Sequence, residues 1–283
     1  MHTTRTVLLD WLRACIAAFQ FLTRLPIPVQ IDYTDRVFQR SVIFYPLAGF
    51  VIGLLLLLAG EGLSLVLPAM PAAVLLLGFW VVLTGGLHLD GLMDTADGIL
   101  SHRPREQMLE IMKDSRVGAM GVIVCVLHLL LKFSFLYTLL STGGMDGVYF
   151  LLAIVPIWSR WFMVAAIQGW PYARRDSGLG SFFRGVTKWH VTLSGLVALF
   201  ATTLLVIIFS AWLAENSVTS FSIINGLTII FSFAIGTNLT GYLLATYISR
   251  KLGGLTGDTY GALNELLETL LLLGITIFAA SHM

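Results

Sequence analysis

The chain has 283 residues, of which 57% are hydrophobic and 12% charged, with a formal net charge of +1. A soluble domain carries about a quarter charged residues, so a globular domain with water as its only solvent is excluded. The near-zero charge shows no sign of a nucleic-acid partner.

In chain order, the segment 6–24 is apolar on one side (Leu8, Leu9, Leu12, Ile16, Phe19) but carries Asp10, Arg13 and Arg24. A helix of that kind lies in the membrane interface rather than crossing it, and Pro26 and Pro28 are expected to end it. Asp10 and Arg13 also interrupt the first apolar run, which argues against a secretory signal peptide. Stretches of the length needed to cross a hydrocarbon core follow at about 42–67, 69–89, 118–141, 147–169, 192–214, 221–248 and 260–281. No fixed-period repeat or long linker divides them. The expected fold is therefore an all-α polytopic membrane protein, one domain over 1–283 with about seven spans and a cytoplasmic or interfacial segment 1–41.

Basic residues set the expected orientation. They gather before span one (Arg5, Arg13, Arg24, Arg36, Arg40), after span two (Arg103, Arg105, Lys113, Arg116), after span four (Arg174, Arg175, Arg184, Lys188) and after span six (Arg250, Lys251). The intervening connections carry no Lys or Arg. By the positive-inside rule the N-terminus lies in the cytoplasm and the C-terminus outside. Cys15 and Cys125 form no ligand pattern and read as packing residues.

The carboxylates are placed unevenly. Asp90, Asp94 and Asp97 follow span two in the run His88-Leu89-Asp90-Gly91-Leu92-Met93-Asp94-Thr95-Ala96-Asp97-Gly98. If that span continues as a helix, the three fall within roughly 60° of one another on one face. Three like charges there require compensation, and Mg²⁺, which joins carboxylate oxygens to substrate phosphate oxygens, supplies it. A solvated acidic helix end is the plain alternative, but no Lys or Arg stands between residues 85 and 102 to share such a surface. His88 projects to the opposite face, against a zinc site.

The run Lys113-Asp114-Ser115-Arg116-Val117-Gly118 is expected to hold a diphosphate, the arginine through its fork of donors. The alternative is a basic anchor for span three. Gly257-Asp258 opens the last span, and Glu265 and Glu268 lie inside it, where ionisable residues are functional candidates. Asp258 and Glu265 are expected near the metal–phosphate site, and Glu268 is expected to pair with Arg160. Lys132 is expected to snorkel outward, and His128 to pack in the core. The loop 170–190, with Arg174, Arg175, Asp176, Arg184 and Lys188, suits either an anionic substrate or lipid head groups.

These motifs resemble the cobalamin synthase family, the adenosylcobinamide-GDP ribazoletransferases. The resemblance rests on Phe21-Leu22-Thr23-Arg24-Leu25-Pro26-Ile27-Pro28, Tyr45-Pro46-Leu47-Ala48-Gly49, the runs 86–98 and 113–121, and Thr256-Gly257-Asp258; residues 190–248 agree only in hydropathy. It implies a Mg²⁺-dependent transferase in the bacterial cytoplasmic membrane, joining adenosylcobinamide-GDP to α-ribazole or its 5′-phosphate and releasing GMP. In that reading Asp90, Asp94 and Asp97 hold the metal, and Lys113 and Arg116 stabilise the leaving group. Asp114, Asp258 or Glu265 orients the hydroxyl or accepts its proton, and Asp94 counts among the catalytic residues. It also implies a wide cytoplasmic cavity for the corrinoid, with the N-terminal helix at its rim. A homo-oligomer, or other corrinoid-pathway enzymes docked on the cytoplasmic loops, is compatible with it. CDP-alcohol and prenyl-diphosphate transferases also gather intramembrane aspartates, but the first need an Ala-Arg after Asp-Gly and the second a repeated cluster. A cation-coupled transporter would place its acids near the bilayer midplane.

Overall fold

The computed structural model describes residues 2–141, 148–174, 182–215 and 223–280, and among these the chain is helical with no strand. The helices are α1 (His2–Leu22), α2 (Asp35–Ser41), α3 (Tyr45–Ser64), α4 (Ala69–Thr84), α5 (Leu87–Leu100), α6 (Arg105–Ile111), α7 (Ala119–Ser141), α8 (Val155–Gly169), α9 (Lys188–Glu215), α10 (Ile223–Leu252) and α11 (Gly257–Ala280). A 3₁₀ turn, Val42–Phe44, joins α2 to α3, and another, Tyr149–Ile154, leads into α8. Among the described residues, six stretches are long and apolar enough to cross a membrane, and the bent pair α4–α5 makes a seventh if counted as one span. The expected all-α polytopic architecture is the observed one.

α8 is the axis of the bundle. Nearly every side chain from Val155 to Ala166 is buried, with α3, α9, α10 and α11 packed around it. The outer helices turn wide apolar faces away from the protein: Val122, Val126 and Leu130 on α7, Phe200 and Ile207 on α9, and Phe231, Ile235 and Leu239 on α10 are exposed. Stripes of that size are stable only against lipid or another apolar surface. α1 follows the same logic, burying Ala14, Ala17, Ala18 and Leu22 on the bundle while Leu8 and Leu12 face outward. Asp10 on its flank lies 3.5 Å from Arg40 and 3.7 Å from Arg13. The helix ends at Leu22, ahead of both prolines.

The second span departs from expectation. It stops at Thr84 rather than running to residue 89, and α5 leaves it at 90°. Gly85 and Gly86 cause the break: both adopt left-handed backbone angles (φ 67° and 68°), which residues with a Cβ adopt only at a cost. The acidic motif therefore occupies a separate helix that packs mainly on α11 and α7.

Candidate active site

Within α5 the helical phase holds, so Asp90, Asp94 and Asp97 follow one another along one side. Asp90 is exposed and the other two are half-buried. Asp94 feels Asp90, Asp258 and Asp97 as like charges and Arg174 as the opposing one. The approach of α5 to the start of α11 depends on Gly91, where a Cβ would stand 2.5 Å from the carbonyl oxygen of Asp258. Asp258, expected near this site, is placed there.

The start of α11 is built by its own threonines. The backbone N–H of Thr256 donates to Oγ1 of Thr259 (2.8 Å), and that of Thr259 to Oγ1 of Thr256 (3.3 Å). This reciprocal cap satisfies orphan donors of the first turn and fixes Asp258 one position inside the helix. The chain after α8 is clasped to the same point: Leu255 N–H donates to Pro171 O and Ala173 N–H to Leu255 O, both at 2.8 Å. The clasp delivers Arg174, whose Nη2 donates to Asp258 Oδ2 (2.9 Å) and to the carbonyl of Met112 (3.3 Å). Between the substrate and lipid roles open to the loop 170–190, Arg174 thus sits at the acidic cleft. Arg175 and Asp176 lie outside the described residues.

Asp97 is engaged differently. Its Oδ2 accepts the backbone N–H of Gly118 (2.7 Å) and its Oδ1 that of Gly121 (2.8 Å), so it anchors the N-terminal turn of α7. Lys113 and Arg116 lie on the exposed α6–α7 connection, and neither lines the cavity beside Asp90. Arg116 closes a fork on Asp114, Nε to Oδ1 at 3.0 Å and Nη2 to Oδ2 at 2.7 Å. These hydrogen bonds hold the Asp114 carboxyl down to about 2. Of the residues expected to hold a diphosphate, Arg116 forms a solvent-exposed pair with Asp114 and Lys113 stands exposed beside it.

Glu265 corrects the expectation more sharply. It lies in the interior, where its Oε2 accepts from Lys132 Nζ (2.6 Å) and His128 Nε2 (2.9 Å). Lys132 does not snorkel: it is 3% exposed, donates also to Glu268 (2.5 Å), and stands 4.4 Å from the ring centroid of Trp80. Arg160 completes the cluster by pairing with Glu268, as expected. Two acids and two bases, all buried, neutralise one another, which is the condition for retaining charges in a low-dielectric interior. Glu265 is therefore spent on the bundle and not on the cleft. Asn264 extends the cluster, its Nδ2 donating to Glu268 Oε1 (3.2 Å) and to His88 Nδ1 (3.0 Å).

Beside the acids lies a cavity of about 240 Å³, lined by Asp90, Asp258 and Arg174 together with His88 and several aromatic rings. Phe21 of α1 belongs to its wall, so the N-terminal helix does reach the site. That volume cannot enclose a corrinoid, so this cavity is not the wide corrinoid chamber that was expected.

The residues suit a hard divalent cation. Among the described residues no three His, Cys, Asp or Glu side chains enclose a metal alone. Mg²⁺ does not need such a cage, because it commonly takes one or two carboxylates, waters and substrate phosphate oxygens. Asp90 and Asp94 make no hydrogen bond or ion pair with other described residues, which leaves their oxygens available.

Fold and site together define a polytopic helical membrane protein with an acid-rich, arginine-bearing cleft at one end of its bundle. Its sequence matches the profile described as cobalamin-5-phosphate synthase over residues 14–276. It is 42% identical to the adenosylcobinamide-GDP ribazoletransferase of Desulfitobacterium hafniense over 91% of this chain and 94% of that one. Identity to the ribazoletransferase of Brevibacillus brevis is 38%, over 93% and 97%; to that of Roseiflexus sp. it is 36%, over 93% and 88%. The chain belongs to the cobalamin-5-phosphate synthase family. No solved structure matches it.

Proposed function

We propose that the chain transfers the cobinamide phosphoryl group of adenosylcobinamide-GDP to α-ribazole or its 5′-phosphate, at a cleft formed by α5, the start of α11 and Arg174. One observation carries this beyond the family likeness: Asp90 of α5 and Asp258 of α11 line one cavity together with the guanidinium of Arg174, with Asp94 one turn further along α5. That arrangement is short of positive charge before any diphosphate enters, so it suits an anionic substrate that arrives with a cation.

Asp90 and Asp94 would hold Mg²⁺ together with waters and substrate oxygens, and the ion would supply charge neutralisation to the diphosphate. Arg174 exchanges part of its pairing with Asp258 for a phosphate oxygen and stabilises the departing GMP. The ribazole hydroxyl attacks the phosphorus bonded to the cobinamide oxygen. The P–O bond to the GMP phosphate breaks, and the hydroxyl proton passes to a cleft carboxylate. Asp258 would accept it once Arg174 turns to the substrate. Asp97 supports the cleft by fixing α7 against α5. The N-terminus and the cleft face the cytoplasm of a bacterial inner membrane, in keeping with the basic connections, and those connections offer docking points for other corrinoid-pathway enzymes.

The test is turnover in membranes supplied with adenosylcobinamide-GDP, α-ribazole phosphate and Mg²⁺, following GMP and cobalamin phosphate. Product should vanish with EDTA and with Asp94→Asn. Product that survives Asp94→Asn would move the chemistry off α5.

A further inference from the structure

The cavity beside the acids changes character with depth. At its outer end stand exposed Asp90 and half-buried Asp258 and Arg174; further in, the lining side chains are buried: Tyr45, His88, Phe183 and Tyr260. Phe21, Tyr45 and Phe183 form one aromatic group, with Phe21 stacked on Tyr45 (centroids 6.2 Å) and Phe183 set edge-on to Tyr45 (6.5 Å). Walls of this kind take flat apolar rings.

Among the described residues, three buried polar atoms of the lining side chains have no protein partner: Tyr45 Oη, Arg174 Nε and His88 Nε2. His88 is 3% exposed, and its Nε2 makes no hydrogen bond. Its tautomer follows from the buried charge cluster. Glu268 accepts only, so the Asn264 group turned toward it is the amide NH₂. The same NH₂ meets His88 Nδ1, which must then accept. The neutral ring therefore carries its proton on Nε2, an unpartnered donor on a side chain that lines the cavity. Arg160 and Lys132 lock Glu268, and so hold this donor's orientation from within the bundle.

We propose that this chamber is the subsite for the base of the ribazole substrate: a flat bicyclic heterocycle between the aromatic walls, its unsubstituted ring nitrogen accepting from His88 Nε2–H. The assignment rests on the transfer reading above and deepens it. A cavity of about 240 Å³ admits a bicyclic base and excludes a corrinoid. Guanine, the other base in the reaction, offers acceptors at O6 and N7, but its ring N–H and amino donors would meet aromatic walls that leave them unpaired. Seated there, the base places its ribose toward Asp90 and Asp258, where the hydroxyl must react.

The proposal is tested on the purified protein by varying the nucleotide. α-Ribazole phosphate is compared with the riboside phosphate of 5,6-dimethylindole, which has the same shape but lacks the accepting nitrogen. Wild-type protein should use the indole analogue with kcat/KM lower by roughly tenfold to hundredfold, the effect of leaving a buried donor unpaired. His88→Leu should lose a similar factor on α-ribazole phosphate, no longer distinguish the two, and leave KM for adenosylcobinamide-GDP within about threefold of wild type. Equal use of both nucleotides by the wild-type protein overturns the proposal without any variant having to fold. A His88→Leu effect confined to KM for adenosylcobinamide-GDP assigns the chamber to guanine and overturns it too. Wild-type protein that turns over no pair sinks the transfer reading itself, and the subsite with it.

Discussion

The cluster of Lys132, Arg160, Glu265 and Glu268 makes a quantitative prediction. Glu268 is fully buried, pairs with Arg160, and accepts from Lys132 at 2.5 Å and from Asn264 at 3.2 Å. Glu268→Gln keeps the shape and removes one negative charge, leaving two cations facing Glu265 alone. Breaking one partner out of a buried pair costs about 3–5 kcal/mol, because the other charge stays desolvated. Arg160→Gln carries a similar cost with the opposite sign of residual charge. The double variant restores balance, with Lys132 paired to Glu265, and should lose only about 1–2 kcal/mol from weakened hydrogen bonds. The two changes should therefore couple by several kcal/mol, far outside the few tenths expected of independent sites. Equilibrium unfolding in mixed micelles with rising dodecyl sulfate measures this, read by tryptophan fluorescence; Trp158, bonded to Thr202 at 3.1 Å, reports beside Arg160. Additive losses, with the double variant weaker than either single one, would refute the idea that the four residues act as one neutral unit.

Other perturbations separate the cleft from its supports. Arg174→Ala should lower kcat/KM by about a hundredfold or more, and Arg116→Ala by less than about tenfold, because only the first stands in the acidic cleft; steady-state rates with adenosylcobinamide-GDP decide, and the reverse order would return the diphosphate to the 113–116 connection. Asp97→Asn should cost about 1–3 kcal/mol, since an amide offers one acceptor where the Gly118 and Gly121 N–H groups need two, yet leave the Mg²⁺ concentration for half-maximal rate unchanged. Asp94→Asn should do the opposite, abolishing turnover at near-native stability. Gly91→Ala should cost about 1–3 kcal/mol by pushing α5 off Asp258, with activity falling further than stability; native-like turnover would show that the close approach is dispensable.

Much of this was legible in the chain. Spans follow from hydropathy because lipid demands internally bonded apolar helices whatever their neighbours, and the residues from Ala119 to Ser141, or from Gly257 to Ala280, needed no partner to be read. The face shared by Asp90, Asp94 and Asp97 follows from 3.6-residue periodicity alone, and the pairing of Arg160 with Glu268 from their similar depth. Which of these charges are available for chemistry was not legible. Asp97 and Glu265 look as free in the sequence as Asp94, and become engaged only when α7 brings Gly118, Gly121, His128 and Lys132 against them. Lys132 reads as a snorkelling residue until Glu265 and Glu268 are found opposite it across more than 130 positions of chain. Arg174 has no local mark that distinguishes it from Arg116; the clasp at Leu255 makes the difference. The double-glycine break at Gly85 and Gly86 could have been suspected, but the 90° turn it allows is set by what α5 packs on.

The sequence by itself determined that this is a helical membrane protein with an acidic motif at a helix end, because solvent matching and helical phase act locally along the chain. The tertiary structure decided which carboxylates face one another, which are neutralised, and which way His88 donates, because charge availability depends on the nearest opposite charge or hydrogen bond, and those partners come from distant parts of the chain.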